Sequence, residues 1–135
     1  MSNIYHLLNT VGDVSLQVKI GTIGNASTVA TKHRVGGSFE ELARSAKNAA
    51  GNVTKKKIGT SAELIGSTLV VDTAILLDGV PAAQLDQAFE NFFLRVTLYG
   101  GLDGEQFFDI APSEKKQFMD KRLIVASKAI KLITQ

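Results

Sequence analysis

The stretch Gly66-Ser-Thr-Leu-Val-Val-Asp-Thr-Ala-Ile-Leu-Leu77, closed by the turn dipeptide Asp78-Gly79, decides the fold. Alternation places Leu69, Val71, Ile75 and Leu77 on one face and Val70, Ala74 and Leu76 on the other. A run apolar on both faces predicts a central strand covered on both sides. Thr68, Thr73 and the Val70-Val71 pair argue against a buried helix, because β-branched side chains lose rotamer freedom there. Asp72, the one charge inside the run, would need a hydrogen-bonding partner if buried.

Working outward from this strand, the flanking segments read as shorter elements. Residues 4–9 are a candidate first strand. Val14, Leu16, Val18 and Ile20 alternate with polar residues, the pattern of a strand with one wet face. Gly21–Asn25 reads as a hairpin connection to a return strand over 26–33. Val35-Gly36-Gly37 breaks that pattern. Ser38 with Glu41 resembles a capping box, and Phe39, Leu42, Ala43, Ala46 and Ala50 form one stripe, so the spacing predicts a helix over 38–50. Residues 53–58 carry Lys55-Lys56-Lys57, which suits an edge strand that must resist pairing. Thr60 to Glu63 predicts a short helical turn.

Beyond Asp78-Gly79, Pro81 fits the first position of a short helix whose apolar stripe is Ala82, Leu85, Ala88, Phe89 and Phe92. Leu94, Val96 and Leu98 alternate as a strand, and 106–110 as another after the Asp103-Gly104 turn. Pro112 and Ser113 open what reads as a capped helix. Residues 121–134 read as a C-terminal strand, on the β-branched weight of Leu-Ile-Val and Ile-Lys-Leu-Ile, with a helix as the alternative. The 135-residue chain is thus expected to be one β-rich domain, 1–135, with six to eight mainly antiparallel strands and two or three short helices. An antiparallel β-sandwich or flattened barrel fits best, and an α+β sheet with helices on one face is the alternative.

Composition narrows the function classes. Hydrophobic residues make up 44% and charged residues 21%, a globular balance. With no cysteine there is no disulfide, thiolate metal site or cysteine nucleophile. No apolar run approaches the ~20 residues of a membrane helix, and no signal peptide is visible, so the expectation is a soluble, cytoplasmic protein. The net charge of +2 conceals a division: residues 32–57 carry +5, 58–114 carry −8 and 115–135 carry +5. Such blocks pair within one molecule or between molecules.

Candidate chemistry is sparse. His6 and His33 lack zinc-site spacing, and neither glycine-rich segment matches a phosphate loop. Asp103, Glu105 and Asp109 alternate as acids do in some Ca²⁺ loops, without the EF-hand pattern. No serine lies in a nucleophile-elbow context. The expectation is therefore no catalytic residues, no metal, no cofactor and no enzyme. Two clusters stand out. Lys32, His33, Arg34, Lys55, Lys56 and Lys57 form a candidate interface or anion-contact patch, open to nucleic-acid phosphates if the two segments converge. Phe89, Phe92, Phe93, Phe107 and Phe108 are a candidate apolar pocket of a small-ligand carrier. The preferred expectation is a non-enzymatic protein-interaction or structural module that assembles as a homo-oligomer, with no membrane partner. Nucleic-acid binding is the weaker partner class.

Overall fold

The computed structural model describes residues 3–8, 12–22, 24–46 and 50–134. It is mainly β, two stacked sheets without a closed barrel, which settles the choice between sandwich and barrel in favour of a sandwich. Ten strands are formed among the described residues, more than the six to eight expected. They are β1 (Ile4–His6), β2 (Asp13–Gly21), β3 (Asn25–His33), β4 (Phe39–Arg44), β5 (Val53–Thr60), β6 (Thr68–Leu76), β7 (Phe93–Gly101), β8 (Gly104–Asp109), β9 (Lys115–Phe118) and β10 (Leu123–Ile133). The larger sheet has the order β1-β10-β6-β3-β4, with β9 also on β10. The smaller has the order β5-β2-β7-β8. All pairings between these strands are antiparallel except β1 with β10.

The decisive stretch is central, as its sequence predicts: β6 pairs with β10 on one edge and β3 on the other. Only one of its faces is covered, however. Leu69, Val71 and Ile75 are fully buried with Thr73, whereas Asp72, Ala74 and Leu76 are exposed and Val70 is half-buried. The reason is topological. The helices α1 (Ser61–Leu64) and α2 (Leu85–Asn91) are used in connections between the two sheets, so among the described residues no layer covers the outer face. Antiparallel sheets tolerate one wet face, and Asp72 sits on it without a desolvation cost.

Three further sequence readings are overturned. Residues 39–44 are β4, not part of a helix. The glycines that were to precede a helix instead make a hairpin: Gly36 and Gly37 have φ of +101° and +94°, and the Arg34 N–H donates to the Ser38 carbonyl at 2.9 Å. A stripe of alanines had little area to bury as a helix, and pairing with β3 satisfies the backbone better. Residues 47–49 of that expected helix lie outside the described residues. Second, β2 and β3 form as strands but do not pair, because the chain crosses at 21–25 from the smaller sheet to the larger. Third, the expected helix at Pro112 is one 3-10 turn, Pro112–Glu114, that runs into β9.

The remaining elements follow the sequence. Thr60 caps α1, its hydroxyl accepting the Glu63 N–H at 3.3 Å while Glu63 accepts the Thr60 N–H at 2.9 Å. Those hydrogen bonds hold the Glu63 carboxyl below the usual carboxylate range. Leu16, Val18, Leu94, Val96 and Leu98 of the smaller sheet face Leu69, Val71, Ile75, Ile124, Ile130 and Leu132 of the larger in one core. Each aliphatic side chain buried there contributes roughly 1.5–3 kcal/mol. A buried Thr28–Thr73 hydroxyl pair at 2.9 Å supplies a polar contact inside it.

Candidate interaction surface

The six basic residues of the expected patch come from two different sheets. Lys32 points inward from β3 and is buried, with Nζ 3.7 Å from Glu40. His33 is exposed and stacks on Phe39, the rings 5.8 Å apart. Arg34 donates to the Glu63 carbonyl at 3.2 Å. Burial and these contacts leave Lys32 little to offer a phosphate. Lys55, Lys56 and Lys57 behave as the sequence predicts, on the exposed edge strand β5 of the smaller sheet. Lys55 lies over the Tyr99 ring at 4.1 Å, and Lys57 pairs with Asp13 at 3.2 Å. Register places Lys57 beside Ser15 and Tyr99, while Lys56 sits opposite the buried Leu16. Lys55 and Lys57 therefore project from the outer face and Lys56 from the inner side of the edge.

The five phenylalanines do not line one pocket. Phe92 is buried at the end of α2, and Phe89 and Phe108 are half-buried against the core. Phe93 and Phe107 lie on the opposite, outer face of the smaller sheet and are exposed. Between them sits Arg95, whose guanidinium is 4.1 Å from the Phe107 ring centroid and 5.3 Å from that of Phe93. The period of two along β7 and β8 separates neighbours in sequence onto opposite faces, so adjacent Phe92-Phe93 and Phe107-Phe108 are split. A cleft of about 350 Å³ is lined by Gly21, Thr22, Gln84, Gln87, Ala88 and Asn91, and by none of these rings.

The sequence reading singles out Asp103, Glu105 and Asp109 but not where they sit, at the other edge of the smaller sheet. Among the described residues β8 pairs with β7 only, and its exposed side chains are Glu105, Phe107 and Asp109. The Ile110 N–H donates to the Leu94 carbonyl at 2.9 Å, and Leu94 is opposite Ile110 in the register of Val96 with Phe108. In an antiparallel ladder bonded and non-bonded pairs alternate. Gln106, Phe108 and Ile110 thus turn their backbone groups toward β7. Glu105, Phe107 and Asp109 turn theirs toward the free edge. Asp109 accepts two hydrogen bonds from Arg95, at 2.6 and 3.0 Å, which lower its pKa. Glu105 and Asp103 complete an acidic edge. The alternation Glu105-x-Phe107-x-Asp109 was the available signal.

The hairpin that presents this edge is fixed from the core. The buried Tyr5 hydroxyl donates to the Gly104 carbonyl at 2.8 Å and accepts the Gly101 N–H at 2.7 Å. Burial raises the Tyr5 pKa, so the phenol stays protonated and can donate. One four-stranded sheet therefore presents a basic edge at β5 and an acidic edge at β8. Among the described residues no helix is long and apolar enough to cross a membrane. In comparison with known proteins, the chain matches no protein-family model, no curated protein and no solved structure.

Proposed function

We propose that this protein is a non-enzymatic interaction module whose partners are further copies of itself, a subunit of a larger homomeric assembly. One observation carries the reading: the two free edges of the smaller sheet have opposite charge, Lys55, Lys56 and Lys57 on β5 against Asp103, Glu105 and Asp109 on or beside β8. A free strand edge is a row of unpaired backbone donors and acceptors, and proteins usually protect it. Lysines on one edge and carboxylates on the other repel like edges and attract unlike ones. Complementary charge of this kind sets partner choice and association rate more than raw affinity.

Light scattering on a size-exclusion column at low and high salt tests the reading. Assembly carried by exposed charges weakens as salt rises, because the screening length falls to ~3 Å at 1 M. The expected result is a species larger than the monomer at low salt that dissociates at high salt. A monomer at both salts, at concentrations well above micromolar, overturns the reading.

A further inference from the structure

We infer that successive copies join head to tail by antiparallel addition of β8 of one copy to β5 of the next, which continues the smaller sheet from molecule to molecule. The inference rests on the homomeric reading above and names the surfaces that carry it. Its first support is strand direction. β5 is antiparallel to β2, β2 to β7, and β7 to β8. Four strands in strict alternation leave the two edges running in opposite directions. Copies laid side by side in one orientation then bring β8 against β5 in antiparallel register, the pairing with the straighter hydrogen bonds.

The second support is which groups meet. The backbone N–H and C=O of Glu105, Phe107 and Asp109 face outward from β8. Their side chains lie on the outer face of the sheet. Lys55 and Lys57 of the incoming β5 project on that same face when the copies share one orientation. Their ammonium groups then come beside Glu105 and Asp109, with the exposed Phe107 ring between. The third support concerns the alternatives. A two-fold pairing of β5 with β5 sets one lysine triplet against another, and β8 with β8 sets Glu105 and Asp109 against their own copies. Like charges directly opposite across strands are unfavourable. Of the pairings these two edges can make, the unlike one is left, and it is heterologous. Such a contact propagates into a ring or an open filament, according to the rotation between copies.

The absence of cysteine from the chain makes the geometry directly testable. Cysteine replaces Thr54 on β5, Phe107 on β8, or both, two exposed positions that leave every charge in place. The proteins are treated at low salt with a flexible bis-maleimide shorter than the roughly 14 Å that three strand spacings set between the two edges of one sheet. The expected result is a ladder of dimer, trimer and higher species from the double variant on a denaturing gel, and monomer from each single variant. The ladder disappears at high salt. Dimers from either single variant overturn the inference, because they show like edges facing each other. Assembly by light scattering without a ladder also overturns it and leaves the homomeric reading standing. A monomer in scattering overturns both.

Discussion

Lys128 Nζ lies 2.9 Å from Glu114 Oε1, and the lysine side chain is only 5% exposed. Lys128 stands in the inward row of β10, between Ala126 and Ile130, where the strand otherwise carries aliphatic side chains. The same Glu114 oxygen accepts the Ala111 N–H at 2.7 Å and closes the 3-10 turn before β9. One carboxylate therefore neutralises a buried cation and caps the preceding turn. Removing it leaves an uncompensated charge in the core. Glu114→Ala is expected to cost ~3–5 kcal/mol of stability, whereas the double variant Lys128→Met with Glu114→Gln is expected to recover most of that. Urea denaturation of the three proteins checks the order.

Tyr5 gives a second prediction, which concerns the hairpin of the acidic edge. Tyr5→Phe strands the buried Gly101 N–H, and an unsatisfied buried donor costs ~1–3 kcal/mol. Gly101→Ala is expected to be worse, since a Cβ there meets the His6 carbonyl oxygen at 2.5 Å and Tyr5 ring carbons at 2.5 and 2.7 Å. Thermal unfolding at high salt, where the proposed assembly would be screened, separates these effects from it.

The Arg95–Asp109 pair predicts a pH dependence. Its hydrogen bonds lower the folded pKa of Asp109, so the stabilisation is full above the unfolded value of ~3.9 and is lost as pH falls through the lower folded value. Both side chains are more than a third exposed, which limits the contribution to less than ~1 kcal/mol. Asp109→Asn is expected to lower Tm slightly at neutral pH, and the gap from the wild type is expected to close in strong acid. A gap that widens on acidification contradicts the assignment.

Charge reversal separates the two edges. Lys55→Glu with Lys57→Glu is expected to weaken assembly by roughly tenfold or more, as two exposed pairs become repulsive. Glu105→Lys is expected to act in the same direction from the other edge. Combining all three substitutions restores one unlike pair with its signs exchanged and leaves Asp109 facing an acidic edge, so assembly is expected to recover only in part. Concentration-dependent light scattering measures each step.

The strands were legible wherever hydrophobic period and turn chemistry agreed. The alternation at Val14 to Ile20 and at Leu94 to Leu98 became β2 and β7, and Lys55-Lys56-Lys57 marked the edge strand β5. Local signals failed where pairing decided the outcome. Ser38 and Glu41 carry the letters of a capping box, yet hydrogen bonding to β3 drew 39–44 into a sheet. Gly21 to Asn25 carries the letters of a hairpin, yet those residues connect different layers. The candidate surface was half legible. The basic edge follows from three consecutive lysines. The acidic edge requires knowing that β8 is outermost, and strand order is not written in local sequence.

The position of β10 has a consequence for how the chain matures. It lies inside the larger sheet, between β6 on one edge and β1 with β9 on the other. A nascent chain that has emerged only through residue 122 holds β3, β4 and β6 as a sheet fragment whose exposed long edge is β6, and β1 has nothing to pair with. Non-local pairings of this kind are slow to form, and the unfinished edge is open to other chains in the meantime. The larger sheet is completed in a single late event, when residues 123–133 dock and join the first strand to the rest.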